Sequence, residues 1–180
     1  SSEYKKLGLE YIEINLSVSQ CMHHGLADSI LESMSRYGVS SNQVNLEITE
    51  SAASYDQSVM SENLERLSAA GLTFSLDDYG TGYSNMYRIA ALPLKIVKLD
   101  KTFVNNQNSK MWTILQNTAR MIKDLNMEIV VEGIETEEMV KKFSDLKCDF
   151  IQGYFFSKPI PQREFVEFID RWNNRQKVNA

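Results

Sequence analysis

Six short apolar runs along the chain each end on a carboxylate, an amide or a lysine, and that repetition limits the fold more than any single residue does. The runs close at Asn15, Glu47, Asp77 with Asp78, Lys98, Glu132 with Glu135, and Gln152. A strand buried on both faces of a parallel sheet reads as a near-continuous apolar run, and closed α/β architectures collect their chemistry at the carboxyl ends of the strands. The six polar ends are therefore expected to converge on one mouth.

The runs predict strands over 11–16, 44–48, 72–76, 96–99, 128–131 and 150–154, rich in Ile, Val, Leu, Phe and Tyr. Helical periodicity fills the gaps at 26–37, 58–70, 83–92, 111–125, 137–146 and 162–172. Gly38 and Gly71 stand where left-handed caps would close the first two helices, and Pro93 follows the third. Thr136 reads as an N-cap followed by two acids, and Pro161 opens the last helix.

Six β-α units in series fit either a doubly wound open sheet or most of a barrel. An open sheet gathers its ligand groups at one switch point, whereas here every strand end, at intervals of about 20 to 34 residues, carries a polar group. No glycine-rich dinucleotide turn or P-loop follows the first strand. The pattern favours an α/β, TIM-barrel-like fold with about six of eight strand-helix units in this chain.

With 180 residues and 43% hydrophobic content, the chain can bury one sizeable core and is expected to be a single domain, 1–180. A net charge of −5 argues against a broad basic face for duplex nucleic acid. It leaves room for a small phosphate ligand held through divalent cations. Two cysteines, Cys21 and Cys148, suggest no disulfide framework and a reducing, cytoplasmic setting. No stretch approaches the roughly 20 apolar residues that span a bilayer. The chain opens on Ser1 without methionine and is expected to be part of something longer, whose other parts could carry a membrane anchor or regulatory domains.

The residue types point to a particular chemistry. Asn15, Glu47, Asp77, Asp78 and Glu132 supply hard oxygen ligands, which suit Mg²⁺ or Mn²⁺ better than zinc. The adjacent Asp77 and Asp78 repel one another unless cations lie between them, and in a two-metal site one carboxylate can bridge ions about 3.5–4 Å apart. Such a pair can activate water and stabilise charge on a phosphoryl group. Lys98, among these acids, could hold the nucleophilic water or the developing oxyanion. His23 and His24, lacking partners at ligand spacing, read as loop or helix-start residues. The eight methionines read as core filler and Lys141-Lys142 as a solvated pair. Tyr154, Phe155 and Phe156 read mainly as packing, with a platform for a guanine base as the other use.

The motifs themselves are Asn15-Leu16-Ser17, Glu47-Ile48-Thr49-Glu50, Asp77-Asp78-Tyr79-Gly80-Thr81-Gly82-Tyr83-Ser84, Lys98-Leu99-Asp100, Glu132-Gly133-Ile134-Glu135-Thr136 and Gln152 to Pro159. In this order they closely resemble the successive signatures of the EAL-domain family over nearly the whole chain. That resemblance implies a modified TIM barrel that opens one phosphodiester of cyclic di-GMP to give linear pGpG, with two Mg²⁺ or Mn²⁺ ions per site. It implies Asn15, Glu47 and Asp77 as ligands of a first metal, with Asp77 bridging to a second that Asp78 and Glu132 help bind. Lys98 resembles the lysine beside the attacking water, Gln152 the glutamine holding water near the metals, and Glu135 a supporting acid. Glu50 resembles the glutamate anchoring the loop after the paired aspartates. Gly80 and Gly82 would let that loop fold tightly or move as a gate. Tyr79 replaces the phenylalanine more usual there.

One departure stands out. The family is named for a Glu-Ala-Leu segment, followed closely by an arginine, on a strand before the Asn-Leu-Ser motif, and no such segment occurs here. Its glutamate is a first-metal ligand and its arginine contacts the substrate. The expectation is therefore an N-terminally truncated domain, impaired in activity, with two open sheet edges that invite a homodimer or strand exchange. A non-catalytic module that binds cyclic di-GMP or scaffolds a protein partner is the alternative. Ca²⁺, larger and less demanding in geometry, is expected to occupy the site without supporting turnover.

Overall fold

The structure, a computed structural model, describes residues 7–53, 58–81, 86–105 and 108–178. Six parallel strands form one sheet in sequence order: β1 (Ile12–Leu16), β2 (Val44–Thr49), β3 (Thr73–Tyr79), β4 (Ile96–Leu99), β5 (Glu128–Val131) and β6 (Phe150–Ile151). Between them lie α1 (Val18–Cys21), α2 (Leu26–Tyr37), α3 (Glu50–Ala53), α4 (Ser58–Ala69), α5 (Met86–Ala91), α6 (Lys101–Asn105), α7 (Ser109–Asp124) and α8 (Glu137–Ser144). Helix α9 (Gln162–Val178) closes the chain. The fold is the α/β, TIM-barrel-like one read from the sequence.

Alternation along the strands separates two environments. Leu46, Ile48, Phe74, Leu76, Val97, Leu99, Ile129 and Val131 point outward to the helices and are almost completely buried. They meet Leu64 and Leu67 of α4, Leu115 and Ile122 of α7, and Phe143 of α8. Each such side chain contributes about 1.5–3 kcal/mol relative to leaving it in water. The opposite parity, Asn45, Glu47, Ser75, Asp77, Lys98 and Glu132, faces inward. Buried Asn63 ties α4 to the chain after β1 by donating from Nδ2 to the carbonyls of Cys21 and His23 at 3.0 and 2.9 Å. His23 is a loop residue whose Nδ1 accepts the Gly25 N–H, in line with its expected role.

The sheet curls strongly. A carboxylate on β1, that of Glu13, comes within 3.8 Å of Lys98 Nζ on β4, although β2 and β3 lie between those strands in the hydrogen-bonded order. Tyr11 and Glu13 also share a cavity of about 470 Å³ with Val130, Phe150 and Ile151 from the far side of the sheet. Asn173 of α9 donates to the Leu7 carbonyl at 2.8 Å, tying the last helix to the segment entering β1. Strands β1 and β6 remain the sheet's outer members among the described residues.

Two boundaries differ from the sequence expectation in ways that shape the site. Strand β3 was expected to stop at Leu76 but continues through both aspartates to Tyr79. Strand β6 was expected to reach Tyr154 but ends at Ile151. There the chain turns to pack Gly153 on the backbone of Ile134, where a Cβ would lie 2.0 Å from the carbonyl oxygen. The backbone hydrogen bonds follow this turn: Phe155 N–H goes to Ile134 and Phe156 N–H to Gly153. The four-residue α3, the short α1 and α6 and the 3-10 turn Ser41–Gln43 escaped the periodicity, being too short to show it. The expected helix over 83–92 is seen as α5, and its first residues, with Gly82, fall outside the described ones.

Candidate active site

Lys98 occupies the centre of the inward face. Its ammonium lies 2.5 Å from Glu47 Oε1, 2.8 Å from Glu132 Oε1, 3.5 Å from Asp77 Oδ1 and 3.8 Å from Glu13 Oε2. These groups come from β4, β2, the end of β5, β3 and β1, and each is inward by strand parity. Lys98 is 4% exposed. A buried ammonium costs several kcal/mol in lost hydration, which this ring of carboxylates offsets. Burial alone would lower the Lys98 pKa, but the bonds to Glu132 and Glu47 outweigh it and hold the lysine charged.

The paired aspartates reach the same mouth through a break in the pleat. Successive residues of a regular strand point to opposite faces, yet the β3–β4 register shifts between Leu76 and Tyr79, and Asp78 takes a left-handed conformation at φ +55°. Aspartate is among the few residues that tolerate that region. Asp77 thus faces Lys98, while Asp78 lines an adjoining cavity of about 310 Å³ with Asp100, Lys101, Glu132, Glu135 and Gln152. The turn beyond Asp78 is held by Glu50, whose Oε2 accepts the Gly80 N–H at 2.9 Å.

The structure therefore gathers Glu47, Asp77 and Glu132 around the Lys98 ammonium, and Asp78, Glu132, Glu135 and Gln152 around one cavity. Asn15 pairs in register with Glu47, so it shares the inward face, at the exposed end of β1. Glu135 and Gln152 are exposed at the rim.

Three residues at this mouth were not singled out from the sequence. Asp100 is 7% exposed, lines the cavity and caps α6 by accepting the Thr102 N–H at 2.8 Å. Lys101 follows it, and its Cβ would collide with any Cβ at Gly133. Glu13 is the third, two residues before Asn15 in the same strand. A charged residue at inward parity was the signal that could have found it. Behind Glu13, Asn45 Nδ2 donates to Thr73 Oγ1 at 3.0 Å, which points Asn45 Oδ1 at the Ser75 hydroxyl, 2.5 Å away. The Ser75 hydroxyl also lies 3.5 Å from Glu13 Oε1, but its single proton serves the nearer acceptor.

Crowding acids out of water raises their pKa values. Glu13 is pushed up to about 7, first by burial and then by the negative charge of Glu47. Asp78 is raised by burial and by Asp77 and Asp100. Glu132 is raised by burial, which outweighs the opposing pull of Lys98.

The donor set suits a hard divalent cation. Among the described residues Asp77 Oδ1 is buried with no hydrogen-bond partner and only the Lys98 ammonium, 3.5 Å away, facing it as an ion pair, so it has a lone pair that a divalent cation can take. As the side chains stand, no three acidic, histidine or cysteine residues among the described ones close around a single ion position. The Lys98 ammonium holds the centre instead, so the carboxylates that grip it must turn to take a cation.

The model of the EAL domain matches residues 3–159. The chain belongs to the EAL-domain family. It is 35% identical over 160 residues to the bifunctional diguanylate cyclase/cyclic di-GMP phosphodiesterase MucR of Pseudomonas aeruginosa, covering 88% of this chain and 23% of MucR. It is 30% identical to the cyclic di-GMP phosphodiesterase RocR of the same organism, covering 87% of this chain and 41% of RocR. This EAL domain thus spans about a quarter to two fifths of those relatives. Among solved structures it resembles the PaMucR phosphodiesterase in its c-di-GMP complex, with TM-score 0.81 and 35% identity, covering 86% of this chain and 64% of that one. It also resembles the manganese and cyclic di-GMP complex of Klebsiella pneumoniae BlrP1, with TM-score 0.78 and 26% identity, covering 88% and 41%.

Proposed function

We propose that this EAL domain hydrolyses one phosphodiester of cyclic di-GMP to linear pGpG, using two Mg²⁺ or Mn²⁺ ions. The observation that carries this reading is the convergence of Glu47, Asp77 and Glu132 on one buried point beside the bulged Asp78 and a polar cavity. Its support from relatives is the phosphodiesterase activity that MucR and RocR carry in their names.

Asn15, Glu47 and Asp77 would hold one cation, and Asp77, Asp78 and Glu132 the other. When bound, such a pair supplies charge to lower the pKa of a water and to neutralise the phosphoryl oxygens. Lys98 stays charged, so its ammonium can hold the attacking water or the oxyanion that develops as the bond breaks. Gln152 and Glu135, exposed at the cavity rim, are placed to hold water and support the ligands there. Glu50 fixes the turn after Asp78 and with it the direction of that carboxylate.

No helix among the described residues is long and apolar enough to cross a membrane. A site acting on a cytoplasmic nucleotide would work in the cytoplasm. Ca²⁺ would occupy it without turnover, and the domain would associate as a homodimer. Light scattering that reports only monomer would overturn that last point.

The test is incubation of the protein with cyclic di-GMP and Mn²⁺, Mg²⁺ or Ca²⁺, with chromatography for pGpG, beside Asp77→Asn and Lys98→Ala. Mn²⁺- or Mg²⁺-dependent pGpG from the wild type, lost in both variants, supports the assignment. Retention of cyclic di-GMP without pGpG assigns a binding module instead.

A further inference from the structure

Among the described residues four carboxylates lie within 4 Å of Lys98 Nζ, and three of them have other work in the proposed reaction. Glu47, Asp77 and Glu132 are the acids that would turn to divalent cations. Glu13, at 3.8 Å, is not among those ligands. It reaches the ammonium from β1, across the interior of the curled sheet. The nearest hydroxyl, that of Ser75, spends its proton on Asn45, so among the described residues Glu13 faces the Lys98 ammonium and, beside it, the Glu47 carboxylate.

Loading the site changes what surrounds Lys98. Three of its counter-ions become shared with cations whose own charge repels an ammonium, and a lysine only 4% exposed has no solvent to compensate. Left alone, it would swing out of the mouth. A carboxylate one inward layer below Asn15 is the group that can prevent this.

We propose that Glu13 is a positioning residue, the dedicated counter-ion that keeps the Lys98 ammonium in the mouth when Glu47, Asp77 and Glu132 hold cations. The proposal rests on the assignment of those acids as ligands in cyclic di-GMP hydrolysis. Glu13 acts through Lys98 and touches neither substrate nor cation.

The test compares wild type, Glu13→Gln and Glu13→Asp in three measurements. Calorimetric titration with Mn²⁺ reads affinity, the NMR signal of ¹³C-labelled Lys98 Cε in Mg²⁺-loaded protein reads its placement, and kcat and KM for cyclic di-GMP read its use. In Glu13→Gln, Mn²⁺ affinity stays within about threefold and KM within about twofold, while kcat falls about tenfold and the Lys98 signal moves and narrows. Glu13→Asp restores most of the kcat and of the signal. A tenfold loss of Mn²⁺ affinity in Glu13→Gln makes Glu13 a ligand and overturns the proposal, as does a Lys98 signal that stays put. Should Glu13→Gln not fold, the graded response of the shorter Glu13→Asp in the same signal decides. Should the wild type make no pGpG, the hydrolytic assignment falls, and the Mn²⁺ titration and the Lys98 signal still judge the role of Glu13.

Discussion

Glu50, the residue after β2, accepts a hydrogen bond from the backbone N–H of Gly80, the second residue after Asp78, at 2.9 Å. One carboxylate thereby ties two strand ends, and the tie sets the exit direction of the bulge that turns Asp78 inward. Removing the acceptor in Glu50→Ala leaves a half-buried N–H without a partner, a cost of about 1–3 kcal/mol. The expected outcome is a lower melting temperature together with Mn²⁺ affinity reduced about tenfold. Thermal unfolding and Mn²⁺ calorimetry on the same variant check it; unchanged affinity would detach Glu50 from the site.

Gly80 itself cannot carry a side chain. A Cβ there would lie 2.0 Å from Cε2 of Phe103, and the backbone φ of +98° is strained for any L side chain. Gly80→Ala is expected to cost about 2–4 kcal/mol. Adding Phe103→Ala frees the space but not the torsion. The double variant should therefore recover only part of the difference from Phe103→Ala alone in urea unfolding; full recovery would mean that the torsion costs nothing.

Much of this was legible in the sequence, for a physical reason. Strands buried on both faces must be apolar, so the polar residues Glu47, Lys98 and Glu132 stood out against their runs and could be assigned to a common mouth. The bulge at Asp78 could not be read, because a left-handed aspartate leaves no mark on hydrophobic period. Without it, parity would put Asp77 and Asp78 on opposite faces. Glu13 was overlooked for the opposite reason: it lies within a run rather than at its end, and its partner Lys98 is 85 residues away, a contact that exists only because the sheet curls. Asp100 was hidden by its second role as the cap of a five-residue helix too short to show periodicity.

Replacing Lys98 by methionine removes the cation that holds four carboxylates together. The ring is then left with uncompensated like charge, and the loss of one partner from a buried ion pair costs about 3–5 kcal/mol. A divalent ion should repair this directly. Mn²⁺ is thus expected to raise the melting temperature of Lys98→Met by several degrees more than that of the wild type, even though the variant turns over no substrate. Equal shifts in the two proteins would show that the carboxylates do not gather around added metal.

The pH dependence of metal-free stability follows from the raised acids. Glu13 titrates near 4.5 in an unfolded chain and at about 7 in the fold, so the folded state holds its proton more tightly. The stability contributed by that proton is complete below pH 4.5 and is lost as pH rises through 7. Asp78 and Glu132 are raised as well and act in the same direction. Lys98 is raised too, but its contribution is present throughout this range because its ordinary value is 10.5. Asp149 is held below its ordinary range by Lys123 and the Ile129 N–H, against the effect of burial. Its stabilisation is lost only on acidification below about 3.8 and does not oppose the trend. The melting temperature without metal should therefore fall by a few degrees between pH 5 and pH 8, with a shallower slope in Glu13→Gln. Saturating Mn²⁺ should reverse the slope, because the ligands bind only after losing their protons. Calorimetric scans at four pH values, with Mn²⁺ and with chelator, measure both slopes, and a metal-free protein that gains stability from pH 5 to 8 would contradict the burial of Glu13 beside Glu47.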